Sequence, residues 1–94
     1  MERGRRAMEE DLLLAGELLE RARRLDKERR MVFDYFYKNL SVGDLRAIME
    51  LEKLGVRDPQ ARIEELVEMG LLEKGMDCYN LAKPLREYVF KRGR

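Results

Sequence analysis

The chain has no histidine and no tryptophan, and only one cysteine and two prolines in 94 residues. Each scarcity removes a class of function. Without histidine no Ser-His or Cys-His pair can form, so nucleophilic catalysis of the triad type has no general base. Cys78 has no second thiol to pair with, which fits a reducing, cytoplasmic location. It falls in an expected strand with no activating base near it in sequence, and reads as a packing residue. No spacing of Cys, Asp and Glu suggests a metal, and no glycine-rich loop is placed to cradle a phosphate, so neither metal nor cofactor is expected. The adjacent carboxylates Glu9–Glu10 and Glu64–Glu65 splay apart on a helix and do not converge on a substrate. Long apolar runs are missing as well. Leu12-Leu13-Leu14-Ala15 is far too short for a membrane span or a secretory core, and no membrane partner is expected. The sequence therefore points away from an enzyme.

Charge is what the chain has in quantity: 41% of residues are charged beside 45% hydrophobic ones. That combination describes a folded domain with an ion-laced surface. A surface dominated by Lys, Arg and Glu suits heat-adapted proteins, and a thermophilic, archaeal source is expected. The net charge is only +1, with a basic excess at the two ends: Arg3, Arg5 and Arg6 at one, Lys91, Arg92 and Arg94 at the other. Whole-molecule attraction to nucleic acid does not follow from this, but local phosphate contacts by the ends could.

Periodicity predicts a mainly helical single domain over residues 1–94, with a helical extension (1–30) and a core (31–94). Residues 7–29 read as one amphipathic helix. Met8, Leu12, Ala15, Leu19 and Ala22 fall at spacings of three and four, and Leu14, Leu18 and Leu25 broaden the stripe. Glu9, Glu10 and Asp11 near its start and Arg21, Arg23 and Arg24 later suit the helix dipole. Gly16 weakens its middle by about 1 kcal/mol relative to Ala and leaves room for another helix. After the polar segment Asp26–Arg30, the apolar run from Met31 to Leu40 reads as a second helix that either continues the first or restarts after a bend, with Asn39 as its stop. Ser41-Val42-Gly43-Asp44 matches a capping box, with Leu40 as a hydrophobic staple to Leu45. The helix it opens should run to Leu54 with Leu45, Ile48, Met49 and Leu51 inward, and end at Gly55. Asp58 is the expected cap and Pro59 the first residue of the next helix, which Gly70 ends in the left-handed conformation. Leu71–Lys74 and Asp77–Leu81 read as a hairpin around Gly75–Met76, and Pro84 opens a last helix over Leu85–Lys91.

The order from Met31 onward resembles the winged helix-turn-helix family. The residues that carry the resemblance run from Ile63 through Met69-Gly70-Leu71-Leu72 to Lys74, followed by Tyr79-Asn80-Leu81. They are similar to the family's Leu-x-x-x-Gly-Leu-apolar close of the third helix and the Tyr-x-Leu of the wing's second strand. The match covers about residues 31–91 and implies a three-helix core with a two-stranded β-hairpin wing, to which this chain adds a long N-terminal helix and a C-terminal helix. It also implies a third helix, Pro59–Met69, placed for a DNA major groove, with the wing on the backbone. The polar positions of that helix are Gln60, Arg62, Glu64, Glu65 and Glu68, where groove readers carry Arg, Lys, Asn or Gln.

Two surfaces stand out. The leucine stripe Leu12, Leu14, Leu18, Leu19 and Leu25, with Met76 at the wing tip, is the candidate protein interface. The bland reading of the stripe is a helix folded back to enlarge the core. Arg21, Arg24, Arg57, Arg62, Lys74, Lys91 and Arg92 are the candidate nucleic-acid contacts. For the basic run Arg21–Arg30 the bland reading is a solvated face with i,i+4 pairs Glu17–Arg21, Glu20–Arg24 and Asp26–Arg30. Of the aromatic run, Phe33, Phe36 and one tyrosine read as core, and Tyr35 as the ring left at the surface. The leading expectation is a non-catalytic winged-helix interaction module, an accessory subunit docking on a larger protein of the DNA replication or transcription machinery. The alternative is a DNA-binding transcriptional regulator that dimerises through its first helix.

Overall fold

The computed structural model describes the backbone of residues 2–92 and the side chains of residues 12–92. Met8, the basic Arg3, Arg5, Arg6 and Arg94, and the carboxylates Glu9, Glu10 and Asp11 lie outside the described side chains. Five helices and three short strands follow in the order α1 (Glu2–Arg23), α2 (Lys27–Asn39), β1 (Ser41–Gly43), α3 (Asp44–Lys53), α4 (Pro59–Glu68), β2 (Leu72–Lys74), β3 (Cys78–Leu81) and α5 (Lys83–Lys91). The mainly helical class is as expected. The sheet is antiparallel and three-stranded, with β3 in the centre of the order β1-β3-β2, and this arrangement is compatible with a winged helix.

The first helix is shorter at its end than its leucine pattern suggests. It stops at Arg23, because Asp26 acts as the cap of the next helix and its carboxylate accepts the Arg29 amide at 3.1 Å. The amides of Arg24 and Leu25 reach back to the carbonyls of Arg21 and Ala22 at 3.2 Å, a tightened last turn. The chain therefore restarts after a bend instead of continuing through the charged segment. The expected i,i+4 ion pairs give way to others: Glu20–Arg23 at 3.5 Å, Asp26–Arg29 at 2.6 Å and Arg30–Asp34 at 3.2 Å.

α2 ends at Asn39 as expected, but the left-handed residue is its neighbour Leu40 (φ 68°). Asn39 instead turns its amide back to the Tyr35 carbonyl at 2.8 Å. The capping box does not form. Ser41 is a strand residue, paired with Asn80, and its hydroxyl donates to the Asn80 side chain at 2.6 Å. Gly43 holds the cap position without a side-chain bond, while the Asp44 carboxylate takes the Leu45 amide at 2.7 Å. The staple fails with the box, since Leu45 is 73% exposed. Likewise Asp58, the expected cap of α4, has a left-handed backbone (φ 47°) and makes no capping bond, although Pro59 does open the helix.

The core forms where the helices meet the inner face of the sheet. Val32, Phe33 and Phe36 of α2, Ala47 and Leu51 of α3, Ile63 and Leu66 of α4, and Leu72, Tyr79 and Leu81 of the hairpin are buried together. The Phe36 and Tyr79 rings meet edge to face with centroids 6.5 Å apart. α1 lies along α5, burying Ala15, Leu18 and Ala22. Glu73 ties the hairpin to α5: its carboxylate accepts the Lys83 amide at 2.9 Å and pairs with Arg86 at 3.0 Å, supplying the cap that Ala82 cannot. At the other end of α4, Gly70 adopts φ 79° as expected.

Two leucines of α3 separate packing from surface. Leu51 is fully buried and Leu45 exposed. Leu51→Ala should cost about 2–5 kcal/mol through the cavity it leaves, whereas Leu45→Ala should change stability by no more than about 0.5 kcal/mol. Urea unfolding midpoints of the two variants against the parent chain test this.

Candidate functional site

The charged side chains first wire the helices together. Glu65, in the middle of α4, receives both the Nε and an Nη of Arg29 from α2, and Arg62 on its own helix at 2.7 Å. Arg29 in turn holds Asp26 at 2.6 Å. Tyr35 of α2 donates its hydroxyl to Glu50 of α3, which Arg46 also approaches at 3.3 Å. The ring expected at the surface is thus a half-buried strut between two helices. Burial first, and then the hydrogen bond to the Glu50 carboxylate, push the Tyr35 phenol up from 10.0 to about 12. The same hydrogen bond, helped by Arg46, holds Glu50 below the usual carboxylate range.

The candidate nucleic-acid contacts are scattered by this wiring. Arg21 donates to the Met69 carbonyl and so caps the C-terminus of α4. Arg62 is half-buried against Glu65. Arg92 donates to the Tyr88 hydroxyl at 2.7 Å and lies over its ring. Arg24, Arg57, Lys74 and Lys91 are exposed on separate parts of the fold: α1, the loop before α4, the hairpin and α5. The outward row of α4 is Gln60, Glu64 and Glu68, three exposed residues one turn apart, with Gln60 bonded to Glu64 at 3.4 Å. In a groove-binding pose that row would bring two carboxylates, and no cation, towards the phosphates.

The candidate protein interface divides. Leu18 is in the core, 6% exposed, and Leu19 and Leu25 are half-buried against it. Small residues at Ala15 and Ala22 let α1 and its neighbours approach, and Leu18 fills the space between. Leu12 and Leu14 remain exposed, as does Leu13, so the helix both enlarges the core and leaves leucines outside. Met76 is 92% exposed at the hairpin tip. Leu45 and Met49, expected inward, point outward instead, at 73% and 58% exposure, because Ala47 and Leu51 take the core side of α3. The signal was ambiguous in the sequence: apolar residues stand all around that helix, and spacing does not choose between the two stripes. Leu54 is a further exposed apolar residue that the sequence did not single out, and Phe90, which the sequence offers for packing with Leu85, Tyr88 and Val89 of the last helix, is 61% exposed.

Among the described residues no group of three His, Cys, Asp or Glu side chains could hold a metal ion, and no helix is long and apolar enough to cross a membrane. Cys78 is half-buried, its sulfur 3.7 Å from the Asn80 side-chain oxygen.

Fold and surface together define a small helical domain with a three-stranded sheet, in which several charged side chains link the elements and some apolar residues stand at the surface. The chain belongs to the family described as PBP2, PolB1 Binding Protein 2, whose model matches residues 26–87. The matched segment opens at the Asp26 cap and takes in α2, the sheet, α3, α4 and the start of α5, leaving out α1. No curated protein matches the chain.

The Tyr35–Glu50 contact gives a titration to look for. A phenol that holds its proton more tightly in the folded chain contributes stability in full below pH 10, and that contribution disappears as pH rises towards 12. Glu50 works in the opposite sense: its contribution is present at neutral pH and is lost on acidification below the ordinary carboxylate range. Tyrosinate absorbance of the folded protein should show one phenol titrating near 12, and that step should move down towards 10 in Glu50→Gln and vanish in Tyr35→Phe.

Proposed function

We propose that this chain is a small, non-catalytic accessory subunit that docks on a PolB1 polymerase, a larger component of the DNA replication machinery. The family match over residues 26–87 carries the reading, because it covers most of the folded core rather than a short motif. The residues are consistent with it. The chain offers no histidine for acid-base work, and its single thiol lies half-buried beside an amide. What it presents instead are exposed leucines and methionines on a rigid frame, the kind of surface that binds protein.

We read the fold as a winged helix that has kept its architecture without the usual groove-reading helix. On this reading α4 takes the part of that family's third helix, but its outward row is Gln60, Glu64 and Glu68. The regulator reading depends on α4 as the reader and on α1 as the dimer helix. The outward row of the first lacks a cation, its Arg62 being half-buried against Glu65, and Leu18 of the second is committed to the core.

Mixing the full-length protein with a PolB1 polymerase of the same source should give a stoichiometric complex on size-exclusion chromatography at micromolar concentration. Duplex DNA binding by the protein alone should be weak and unchanged in Arg57→Ala and Arg62→Ala. Absence of a complex, together with DNA affinity that falls steeply with salt and depends on those arginines, would overturn the accessory reading in favour of the regulator.

A further inference from the structure

The exposed large apolar residues of the described chain fall into groups: Leu12, Leu13 and Leu14 on α1, Leu45, Met49 and Leu54 on or just after α3, Met76 on the hairpin, and Phe90 on α5. Only Leu45, Met49, Leu54 and Met76 lie within the segment that the family model matches. Leu54 turns towards α2, where it lines a cleft with Met31 and Tyr35. The other three stand on two elements joined to each other, α3 and the hairpin tip. Leu45 and Met49 are one helical turn apart on the side of α3 opposite the buried Ala47 and Leu51. The hairpin tip is tied to the start of that helix: Gly43 pairs with Cys78, and the Asp44 amide donates to the Asp77 carbonyl at 3.0 Å. Leu45 and Met76 are thus the chain neighbours of two residues joined by a hydrogen bond.

We propose that this face, formed by Leu45, Met49 and Met76, is the surface that seats on the polymerase. The proposal rests on the PolB1 reading above and adds to it the face that makes the contact. Its occupant is an apolar recess on the polymerase with a polar rim. Three observations favour it. The face lies inside the segment that defines the family, so whatever the members bind in common can use it, whereas the leucines of α1 lie outside that segment. Met76 sits at the hairpin tip beside Asp77, which carries the turn's positive φ of 57°, and at 92% exposure its apolar side chain fills no core within the chain. The same two elements also expose charges of both signs, Arg46, Glu52 and Lys53 on α3 and Lys74 and Asp77 on the hairpin, which suits the apolar-centre, polar-rim layout of protein interfaces. Methionines suit the centre, because their unbranched side chains adapt to the partner's shape.

The contact is held in place by the fold. β3 pairs with both neighbours, and the Gly75 amide closes the hairpin on the Cys78 carbonyl at 2.9 Å. The two elements therefore present their apolar residues together before any partner arrives, and little ordering is needed on binding.

The test is a titration of full-length protein into PolB1 polymerase by calorimetry, with Leu45→Glu, Met76→Glu and, on α1, Leu13→Glu as the comparison. All three positions are exposed, so circular dichroism and thermal midpoints should match the parent. Leu45→Glu and Met76→Glu should each weaken binding on the order of tenfold or more, while Leu13→Glu should stay within about twofold. Parent binding that survives both Leu45→Glu and Met76→Glu overturns the assignment of this face and leaves the PolB1 reading standing. No binding by the parent chain overturns that reading itself. Sedimentation of the protein alone supplies the remaining arm: a monomer leaves the face free for the polymerase, and a dimer that Leu45→Glu dissociates would give the face to a second copy and sink the proposal.

Discussion

The position of β3 between β1 and β2 is the constraint on which the rest of the structure depends. A hairpin alone is marginal in water. Here the hairpin gains a third strand from the three residues after α2, and the Leu81 amide adds a bond to the Leu40 carbonyl at 2.7 Å. That pairing requires the chain to reverse at Leu40, where a non-glycine residue takes a positive φ of 68°. A left-handed leucine is unfavourable by itself, and it persists because the α2 carbonyl of Phe36, the sheet and the core all depend on it. Once β1 is paired, the origin of α3 is fixed beside the hairpin tip, and the rotation of α3 follows. Ala47 and Leu51 enter the core, and Leu45 and Met49 are left outside. The exposed apolar face is thus a consequence of strand pairing.

This explains which parts of the fold were legible in the sequence. Pro59, Gly55, Gly70 and the hairpin after it were readable because proline and glycine act locally, through φ and the missing Cβ. The helices were readable from their periodicity, and the aromatic core from the need of a small domain for large rings. β1 was not readable. Three residues show no alternation, and Ser41-Val42-Gly43-Asp44 carries a plausible local alternative, a capping box, that lost to pairing with a strand almost forty positions away. Asp26 was hidden for another reason: a capping carboxylate inside a run of charges looks like one more solvated residue. The outward turn of Leu45 and Met49 depended on β1, so missing the strand meant misplacing both. The candidate surface was therefore legible only at Met76, where a turn position and an apolar side chain conflict in the sequence itself.

Charge makes up 41% of the chain, and several of the charged side chains sit at the joints between elements. Glu65 joins α2 to α4, Glu50 joins α3 to α2, Glu73 joins the hairpin to α5, and Arg21 joins α1 to α4. These pairs are partly exposed, and each adds only a modest amount to stability at ordinary temperature. Their larger effect is on geometry: each fixes the angle between two elements that the small core alone would define less sharply. A side chain so engaged is not free to meet phosphate. Part of the domain's charge thus serves its own assembly, while exposed leucines and methionines are left for a partner.

α1 shows how that division can be extended. It lies outside the family segment, but it is not a loose appendage: Ala15, Leu18 and Ala22 pack into the core, and Arg21 caps α4 beside Gly70, where an added Cβ would lie 3.5 Å from the guanidinium. Small residues at Ala15 and Ala22 allow the close approach to α5, and the Leu19 and Leu25 side chains close the sides. Through Arg21 and its packed face the helix braces α4 and α5. Removal of such a brace would loosen the frame without altering the residues of the α3 and hairpin face. If the α3 and hairpin face is the contact, as proposed, stability and recognition rest on different elements, and such an accessory subunit could carry a stabilising helix without changing its contact with a larger partner.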